Sequence, residues 1–421
     1  MNIWYFNHYA GGPGIGKFGR AYHLSRAWAA LGHQTTIFVA RFHHLLDELK
    51  PLPDQVEVDG VKYVALNARR YTDNGFSRVQ NMADFCYNML RLPSRIPSTL
   101  QRPDAIILSS APPYGILPAS RLAKRFSAQL TFEVRDLWPL SLVEINGSSR
   151  LHPFVLFTGL IERFAYRNSD LVASLLGGAE EHMLVRGLGP NKFVHVPNGL
   201  ASEQQSLPAS PTTETGRAAA QKIKIWKEEN RIVIIHPGAQ GVPNALDRLL
   251  DAIASLNADG YRDRFAALLV GNGGMTETLK EQAKSQGATN VAFFNSVPNA
   301  ESRWLTSQSD IGYSGKRDNR NVYKHGTSFN KTIDFMQAGI PIVLPIHAPH
   351  DPIALANCGI VTGSDEPAAI ANALRAMIDM TPQQRVEMGA KGKTYVADTF
   401  SYDTIARNYI DWIEKTRPSQ T

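Results

Sequence analysis

Residues 2–40 read NIWYFNHYAGGPGIGKFGRAYHLSRAWAALGHQTTIFVA, and this stretch decides the fold. The apolar runs at its two ends, 2–7 and 34–40, are typical of strands that are buried on both faces of a sheet. Between them a glycine-rich loop, 11–18, leads into a helical pattern over 19–31. Because a strand, a helix and a second strand in this order form parallel β-structure, the stretch predicts an α/β fold.

The same alternation continues along the chain in two series. The first series ends near residue 197, and the second extends from RIVIIHP (231–237) to CGIVTG (358–363). Two series of buried strands and helices predict two doubly wound domains. A polar segment rich in Pro, Ser and Thr separates them, and a last helical pattern has no strand after it. The predicted parts are an N-terminal domain at 1–200, a linker or long loop at 201–229, a C-terminal domain at 230–400 and a final helix within 401–421.

Length and composition are those of a globular protein with two domains. The chain has 421 residues, too many for one ordinary core, with 43% hydrophobic and 19% charged residues. Its two cysteines, Cys86 and Cys358, match no metal-binding spacing, so we expect buried thiols in a reducing compartment. The first ten residues do not resemble a signal peptide, and no run of about 18 apolar residues predicts a membrane span. We therefore expect a cytoplasmic protein.

The net charge is +6, and all of the excess lies in the first half of the chain. Residues 1–200 contain 21 Lys and Arg against 15 Asp and Glu, whereas the remaining residues contain 23 of each class. A basic half suits an anionic lipid surface, a phosphorylated ligand or nucleic acid, or it serves solubility alone. The basic residues are scattered and no stacking-aromatic motif accompanies them, so we do not expect nucleic acid as a partner.

The loop GGPGIGKF, 11–18, matches the phosphate-binding loop G-x-x-x-x-G-K-[ST] at every position except the last. That position must be Ser or Thr to hold the Mg²⁺ of ATP, and Phe18 cannot coordinate a metal. The glycines still allow close backbone approach to a ligand, and the following helix directs its positive end there. The loop is expected either to face a phosphate or to be a plain turn, with Lys17 as a phosphate contact or a solvated neighbour.

Charged residues end an otherwise apolar strand in FEVRDLWPLSLVE, 132–144. Glu133, Arg135 and Asp136 are costly at a strand exit unless they form a local ion network or contact a ligand. Trp138 lies just beyond them and would line a sugar or isoprenoid site or belong to the core. Because ligands bind beyond the carboxyl ends of strands in doubly wound sheets, this segment is a candidate site.

A cationic loop precedes a short helix in SGKRDNRNVYKHGTSFNKTIDFMQAGIP, 314–341. Cations beside a capped helix N-terminus can hold a diphosphate without a metal, and the alternative is a solvated surface loop. Asp334 lies one turn into the helix, where it would accept hydrogen bonds from sugar hydroxyls or compensate the helix dipole. The sequence contains no D-x-D pair of the kind that holds Mg²⁺ or Mn²⁺ on a nucleotide-sugar. The cationic and cap-type residues are Lys316, Arg317, Arg320, Lys324, His325, Thr327, Ser328, Asn330 and Lys331.

Taken together, the motifs resemble one enzyme family over essentially the full length of the chain. The chain is similar to the GT-B glycosyltransferases of family 4 (the group 1 glycosyltransferases), and within them to the branch of bacterial O-antigen and capsule aminosugar transferases. The resemblance rests on seven stretches in this order: FNHYAGGP (6–13), LSRAWAALGHQTTI (24–37), FEVRDLWPLSLVE (132–144), ERFAYRNSDLVASLLGGAEEHM (162–183), VPNG (196–199), GTSFNKTIDFMQAGIPIV (326–343) and FSYDTIARNY (400–409).

The resemblance implies two Rossmann-like domains that face a central cleft. The C-terminal domain would hold a nucleotide-sugar, the N-terminal domain would hold the acceptor, and the last helix would pack back onto the N-terminal domain. It also implies a front-face displacement that retains the anomeric configuration, needs no metal and uses the leaving diphosphate to help deprotonate the acceptor. No cofactor is expected, since the nucleotide-sugar is a substrate.

Several positions depart from the family pattern. Asp334 takes the place of the second Glu of the E-x7-E motif, and the first Glu falls at Gly326, as in the aminosugar branch. The usual diphosphate-binding Arg and Lys fall near Ala239 and Asn244, so we expect Lys331 and the cationic loop to replace them. The usual strand-end His falls at Arg135.

These matches and departures give the predicted site. The catalytic candidates are Glu133, Arg135 and Asp136, and the acceptor-side candidates are His8, Trp138 and Asn198. The predicted donor-binding residues are Gly14 and Gly16, which belong to the loop that covers the donor phosphates, with Lys17, Gly238, Asn244, Asn295, Val297, Lys316, Arg320, Ser328, Asn330, Lys331 and Asp334.

The function implied is that of a retaining, metal-independent, hexosyltransferase-type glycosyltransferase. It would move a sugar, an aminosugar in the branch named above, from a UDP-linked or other nucleotide-sugar to a hydroxyl of a bacterial glycan acceptor. A lipid-linked acceptor would bring the protein to the inner face of the cytoplasmic membrane, where 152–161 and 87–96 are candidate contacts, unless these are buried helices. The alternatives are a nucleotide-sugar epimerase on the same scaffold and a non-catalytic nucleotide-sugar-binding protein.

Overall fold

The chain divides into two compact units. Unit 1 comprises Met1–Gly199 with Tyr402–Thr421, and unit 2 comprises Leu200–Ser401. Phe18, on which the interpretation of the glycine-rich loop as a P-loop depends, lies outside the described residues, as does part of the candidate membrane segment 87–96. The computed structural model describes residues 1–17, 19–47, 49–72, 75–92, 100–200 and 210–417.

Unit 1 is built on an eight-stranded sheet within the described ranges. Its strands are β1 (Asn2–Asn7), β2 (Gln34–Ala40), β3 (Gln55–Val58), β4 (Val61–Leu66), β5 (Ala105–Ser109), β6 (Gln129–Val134), β7 (Leu171–Ser174) and β8 (Phe193–His195). The order is β3-β4-β2-β1-β5-β6-β7-β8, and neighbours run parallel except for the β3–β4 pair. Its helices are α1 (Arg20–Ala30), α2 (Phe76–Arg91), α3 (Ile116–Phe126), α4 (Leu140–Glu144), α5 (Pro153–Asn168), α6 (Glu180–Val185) and, at the end of the chain, α16 (Tyr402–Lys415).

Aromatic side chains of the central strands form much of the unit 1 core. β1 is buried along its whole length, and the rings of Phe6 and Phe38 stack with their centroids 4.5 Å apart. On the other side, α16 packs on α1, where Trp28 Nε1 donates to the Ala406 carbonyl at 3.0 Å and lies against Tyr409. The last helix of the chain therefore completes the hydrophobic cover of the first sheet.

A buried ion pair joins α1 to the end of β6. Arg20 donates to Glu133 Oε2 at 2.9 and 3.1 Å, and Glu133 Oε1 accepts from Tyr5 Oη at 2.6 Å and Ser109 Oγ at 2.8 Å. Arg20 also donates to the Val196 carbonyl at 2.9 Å, after β8. Burial alone would raise the pKa of Glu133, but the charge of Arg20 and these hydrogen bonds outweigh it and lower the pKa. The pair therefore connects four strands through one satisfied network.

Unit 2 is built on a six-stranded parallel sheet within the described ranges. Its strands are β9 (Ile232–Pro237), β10 (Phe265–Val270), β11 (Val291–Phe294), β12 (Ile311–Tyr313), β13 (Ile342–Leu344) and β14 (Gly359–Val361), in the order β11-β10-β9-β12-β13-β14. Its helices are α7 (Glu214–Glu228), α8 (Leu246–Ala258), α9 (Thr276–Ser285), α10 (Asn299–Ser307), α11 (Arg320–Tyr323), α12 (Asn330–Ala338), α13 (Pro352–Ala356), α14 (Pro367–Asp379) and α15 (Pro382–Thr399). The prediction of two doubly wound, parallel α/β sheets is confirmed.

The prediction of a linker or long loop over 201–229 is wrong for its second half, which forms α7. Ala219, Ile223 and Trp226 recur at helical spacing and are buried against the unit 2 core. Thr213 caps the helix by accepting from the Gly216 amide at 3.0 Å. Ala219, Ile223 and Trp226 form a single narrow apolar stripe, which the otherwise polar composition of the segment made hard to recognise as a helix. Residues 201–209 lie outside the described residues.

We expect Arg20→Met to destabilise unit 1 by about 3–5 kcal/mol, because it leaves the Glu133 carboxylate buried without a cation. The measurement is the free energy of unfolding in urea. The double variant Arg20→Met, Glu133→Gln should recover part of the loss. Arg69→Ala is the matched control, since its ion pair with Asp84 is exposed and its loss should change the unfolding midpoint little. Equal effects of Arg20→Met and Arg69→Ala would contradict the argument.

Candidate functional site

The candidate site lies at the carboxyl edge of the unit 2 sheet, where β9 has β10 on one side and β12 on the other. The strand order changes direction at this point, because the chain moves outward through β10 and β11 before it returns beside β9 as β12. Ligands of open α/β sheets bind in the crevice at such switch points. The loops that leave β9 and β12, together with the start of α12, supply its side chains.

Close backbone approach fixes the loop that leaves β9. Gly238 has φ +138° and Gly271, after β10, has φ +150°. A Cβ on Gly271 would lie 1.9 Å from the Gly238 carbonyl oxygen, and a Cβ on Gly315, after β12, would lie 2.4 Å from the Asn244 carbonyl oxygen. Glycine is therefore required at these contacts, and the three loops are held in one packed arrangement.

Lys331, in the first turn of α12, directs its ammonium group into this crevice. Its Nζ donates to Asn244 Oδ1 at 3.4 Å, and Asn244 is oriented by its own hydrogen bond to the Ala239 carbonyl at 2.6 Å. Burial, and then the charge of Lys316, lower the pKa of Lys331 to about 7. The structure thus brings together Gly238, Asn244 and Lys331, three of the predicted donor-binding residues.

Lys316 is the second cation of the site. Its Nζ lies 4.9 Å from the centroid of the Phe329 ring, and burial lowers its pKa. Neither Lys316 nor Lys331 forms an ion pair with a carboxylate in the part of the chain that the structure describes. Two partly buried cations that repel one another and have no counter-charge are the arrangement of an anion-binding site.

His236 is a site residue that the sequence interpretation missed. It is fully buried at the end of β9, and its Nδ1 lies 3.0 Å from the Tyr313 carbonyl oxygen. Its Nε2 has no hydrogen-bond partner among the described residues. Burial and the charge of Lys331 hold the pKa of His236 well below its usual value. The available signal was a polar residue in the otherwise apolar strand RIVIIHP.

Asp334 lies one turn into α12, as predicted from the sequence, and is partly buried. Burial raises its pKa to about 6, and the charge of Arg303 opposes this rise only in part. A carboxylate kept at this cost is poorly explained by compensation of the helix dipole, which favours the ionised form near an N-terminus. Its proposed contact with sugar or ribose hydroxyls stays a prediction.

The remaining donor candidates in unit 2 are spread along its edge. Arg320 lies near Asp318 and the Gly363 carbonyl, and Arg317 donates to both oxygens of Asp247 at 2.9 Å, so the cationic loop is partly neutralised. The first helical residue of α12 is Asn330, directly preceded by Ser328 and Phe329, and Asn295 and Val297 follow the edge strand β11. The predicted donor-binding roles of Arg320, Ser328, Asn330, Asn295 and Val297 stay predictions.

The glycine-rich loop of unit 1 forms a closed turn. The Gly12 and Gly16 backbones exchange hydrogen bonds at 3.0 and 3.1 Å, the Ile15 amide donates to the Gly12 carbonyl at 3.0 Å, and the Lys17 amide donates to the Leu45 carbonyl at 3.1 Å. Most of the amides that would cradle a phosphate in a P-loop are therefore already used. Gly14 is exposed at the tip with φ +68°. The predicted donor contacts of Gly14, Gly16 and Lys17 stay predictions.

The charged residues after β6 have different surroundings. Glu133 is fully buried and both of its oxygens accept hydrogen bonds, so its prediction as a catalytic residue is wrong, and its ion partner is Arg20 rather than Arg135. The Arg135 amide donates to Ser110 Oγ at 3.1 Å, and Asp136 accepts a hydrogen bond from Ser141. Arg135 and Asp136 are partly exposed and remain candidates.

The acceptor-side candidates divide in the same way. His8 is buried, its Nε2 lies 2.7 Å from Asn81 Oδ1, and burial lowers its pKa to about 3. Its Nδ1 has no hydrogen-bond partner among the described residues, and its role as an acceptor contact stays a prediction. Trp138 is partly exposed beyond β6, and Asn198 is partly exposed beyond β8, both at the carboxyl edge of the unit 1 sheet. Their roles stay predictions.

Comparison with known proteins bears on this architecture. Residues 19–199 match a family model described as the glycosyl transferase 4-like domain. Sucrose-phosphate synthase from Thermosynechococcus elongatus aligns with a TM-score of 0.71 and 15% identity, over 99% of this chain and 98% of that chain. WaaG, a glycosyltransferase involved in lipopolysaccharide biosynthesis, aligns with a TM-score of 0.65 and 15% identity, over 98% of this chain and 99% of that chain. The chain has the GT-B fold.

A third solved structure with this fold contains ligands. HepE from Anabaena, in complex with UDP and glucose, aligns with a TM-score of 0.65 and 13% identity, over 99% of this chain and 100% of that chain. A search of curated protein sequences gives no match. The GT-B fold and the family model support the resemblance to family 4 glycosyltransferases. Among the described residues, no three His, Cys, Asp or Glu side chains are grouped as metal ligands, and no helix is long and apolar enough to cross a bilayer.

Asp334→Asn is expected to stabilise the protein at pH 8 by up to about 3 kcal/mol and to have no effect near pH 4. A folded-state pKa above the unfolded value means that ionisation costs stability as the pH rises through about 6, and the amide removes this cost. The measurement is the free energy of unfolding at the two pH values. Asp351, whose pKa is also raised to about 6, is present in both proteins and cancels. A pH-independent difference would contradict the assignment.

Proposed function

We propose that the protein is a retaining glycosyltransferase that moves a sugar from a UDP-linked nucleotide-sugar to a hydroxyl acceptor without a metal ion. The observation that carries this proposal is the pair Lys316 and Lys331, two partly buried cations without a carboxylate partner among the described residues, at the switch point of the unit 2 sheet. A diphosphate is the anion that such a crevice fits, since α12 also directs its N-terminus there. The GT-B fold and the family model support the same reaction.

In the proposed reaction, the bond between the anomeric carbon and the diphosphate oxygen breaks while the acceptor oxygen bonds to the same carbon on the same face. The proton of the acceptor hydroxyl passes to the departing diphosphate, so a glycoside and UDP are the products. Negative charge grows on the diphosphate in the transition state, where Lys331 and Lys316 would stabilise it. These two cations would take the part that a metal ion has in other transferases, and the loops would hold the reactants in place.

The donor is proposed to carry an aminosugar, as in O-antigen and capsule synthesis. Gly326, which stands at the first Glu position of the family motif, is buried with φ +103° and brings no carboxylate to the site. An uncharged position leaves space for a bulkier sugar substituent such as an acylamino group. UDP is proposed as the nucleotide because HepE, which shares the fold, is described with UDP and with UDP-glucose.

Lys331→Ala is expected to weaken UDP binding tenfold or more, about the contribution of one hydrogen bond to a charged group. The measurement is isothermal titration of UDP into the full chain, with and without EDTA, and EDTA should change nothing. Lys391→Ala is the control, because Lys391 is exposed on α15. Equal affinities of Lys331→Ala and the wild type would place the donor elsewhere.

Turnover separates the proposed function from its alternatives. UDP release from UDP-N-acetylhexosamines that depends on an added lipid-linked glycan acceptor would support a transferase. A 2-epimer formed without acceptor would indicate an epimerase instead, and UDP binding without any turnover would indicate a non-catalytic binding protein.

The acceptor is proposed to be lipid-linked and to be reached at an anionic membrane surface. α4, α5 and α6 of unit 1 enclose a groove of about 550 Å³ that we call the apolar groove. Leu156 and Leu160, one turn apart on α5, are 53% and 63% exposed, and Val185 is 83% exposed. Monomeric proteins rarely leave so many large apolar side chains together in water. The groove is lined by Pro139, Leu140, Val143, Glu144, Arg150, Val155, Leu156, Gly159, Leu160, Arg163, His182, Val185 and Arg186.

The charge of the apolar groove favours an anionic bilayer as its partner. Arg163 contributes a cation to it with no ion pair among the described residues. Arg150 pairs at 2.9 Å with Glu144, the one carboxylate among the lining residues, and Arg186 lies 3.7 Å from Glu162. Apolar side chains between arginines are the pattern of a segment that inserts shallowly among acidic headgroups. This surface also lies in the half of the chain that holds the whole positive excess.

The double variant Leu156→Glu, Leu160→Glu is expected to reduce co-sedimentation with vesicles of phosphatidylglycerol and phosphatidylcholine at least tenfold. Both substitutions place a carboxylate where acyl chains would be. Val386→Glu is the matched control, because Val386 is 61% exposed on α15 of unit 2. Binding of the wild type should fall as the salt concentration rises and as the phosphatidylglycerol fraction is lowered. An equal loss in both variants, or none in either, would contradict the proposed surface.

A further inference from the structure

His236 presents an unpartnered nitrogen to the diphosphate crevice. The ring is 0% exposed, and Nε2 makes no hydrogen bond to any residue described. Buried polar atoms in native proteins nearly always have a partner, so an orphan at a candidate site indicates a group that binds there.

The backbone at Gly238 locates the position that Nε2 faces. A Cβ atom built on Gly238 would lie 3.7 Å from Lys331 Nζ and 3.9 Å from His236 Nε2. One small group at this point is therefore close to both nitrogens at the same time. Gly238 has φ +138°, so the chain leaves this point without a side chain and open to a ligand.

We propose that His236 binds the donor diphosphate together with Lys331, with Nε2 and Nζ donating to oxygens of the same phosphoryl group, and that this binding takes up a proton onto Nε2. The inference rests on the proposed function, because it names a further binding residue of the same donor site. It assigns to a strand residue part of the role that the missing cations at Ala239 and Asn244 leave open.

The proton uptake follows from the hydrogen bond on the other side of the ring. A carbonyl oxygen only accepts, so Nδ1, which lies 3.0 Å from the Tyr313 carbonyl, carries the proton of the neutral ring. Nε2 is then an unprotonated acceptor, which repels phosphate oxygens. It becomes a donor only when the ring is an imidazolium, and a bound dianion provides the charge that stabilises this form.

The groups around the ring keep it neutral until an anion arrives. Lys331 on α12 and Lys316 after β12 both act against a second positive charge. The Tyr313 carbonyl, which lies 3.0 Å from Nδ1, favours that charge, and so, more weakly, does the backbone of Ala239, to which Nε2 forms no hydrogen bond that meets the usual geometry. Burial adds the largest cost and keeps the pKa of the empty site well below its usual value. A bound diphosphate would shift this balance toward the imidazolium, because its negative charge offsets the repulsion from the two lysines.

The test is isothermal titration of UDP into the full chain at pH 7.5 in two buffers that differ in ionisation enthalpy, which reports the number of protons taken up. We expect the wild type to take up about one proton more than His236→Gln, whose amide can donate without a proton, and His236→Gln to bind UDP several-fold more weakly. Comparison within the same buffers cancels the titration of UDP itself. Lys331→Arg, which keeps a permanent charge, should retain the proton that His236 takes up.

A second measurement needs no variant. In protein with ¹⁵N-labelled histidine, UDP should move one Nε2 signal from the unprotonated to the protonated range. Equal proton uptake by the wild type and His236→Gln, with no such signal, would overturn the role of His236 while leaving the donor site in place. Pyrophosphate is the second probe: if it binds with proton uptake and UDP does not bind, the nucleotide of the proposed function is wrong and the His236 site stands. Binding of neither probe would overturn both.

Discussion

Two groups of buried and partly buried charged side chains are decisive in this molecule: one has an ion partner within the fold and stabilises it, and the other has none among the described residues and marks the candidate site. In unit 1 the Arg20–Glu133 pair is fully enclosed, and every oxygen of the carboxylate accepts a hydrogen bond. The network connects α1, β1, β5 and β6. Moving any of these elements apart would leave a buried charge without its partner. The network therefore fixes the edge of the sheet from which the unit 1 loops leave.

In unit 2, the partly buried side chains of Lys331 and Lys316 have no carboxylate partner in the part of the chain that the structure describes. Lys331 and Lys316 lie near one another, and burial lowers the pKa of both. Asp334 lies on the same helix as Lys331, and burial raises its pKa, so the neutral form of each of the three groups is favoured. For the two lysines, this displacement of the pKa costs stability that an anionic ligand can return. Strongly shifted pKa values of this kind are concentrated at functional sites. The two partly buried lysines therefore support the proposed donor site more strongly than the cationic composition of the loop does.

The class of fold and the positions of the main loops were predictable from the sequence, because buried parallel strands and helices have local patterns. Contacts between distant residues were not. Glu133 has its ion partner 113 positions earlier in the chain, so it was wrongly predicted as a site residue, and the contact between His8 and Asn81 was equally invisible in the sequence. His236 was missed since its neighbours are apolar, and α7 was missed because one narrow stripe, Ala219, Ile223 and Trp226, carries its packing.

The glycine-rich loop illustrates why a motif and a site are different things. Its letters differ from a P-loop at one position, yet the backbone differs far more, because the amides of Gly12, Ile15, Gly16 and Lys17 donate to carbonyls of the same unit. A phosphate cradle requires amides that are directed at the ligand and unpaired without it. The Gly238 amide does not meet that condition, since it donates to the Val270 carbonyl at 2.8 Å, but the missing side chain leaves one point close to both Lys331 Nζ and His236 Nε2. In the proposed site, recognition of an anion would therefore depend on lysines that have no carboxylate partner among the described residues, and glycine would contribute by leaving room for the ligand.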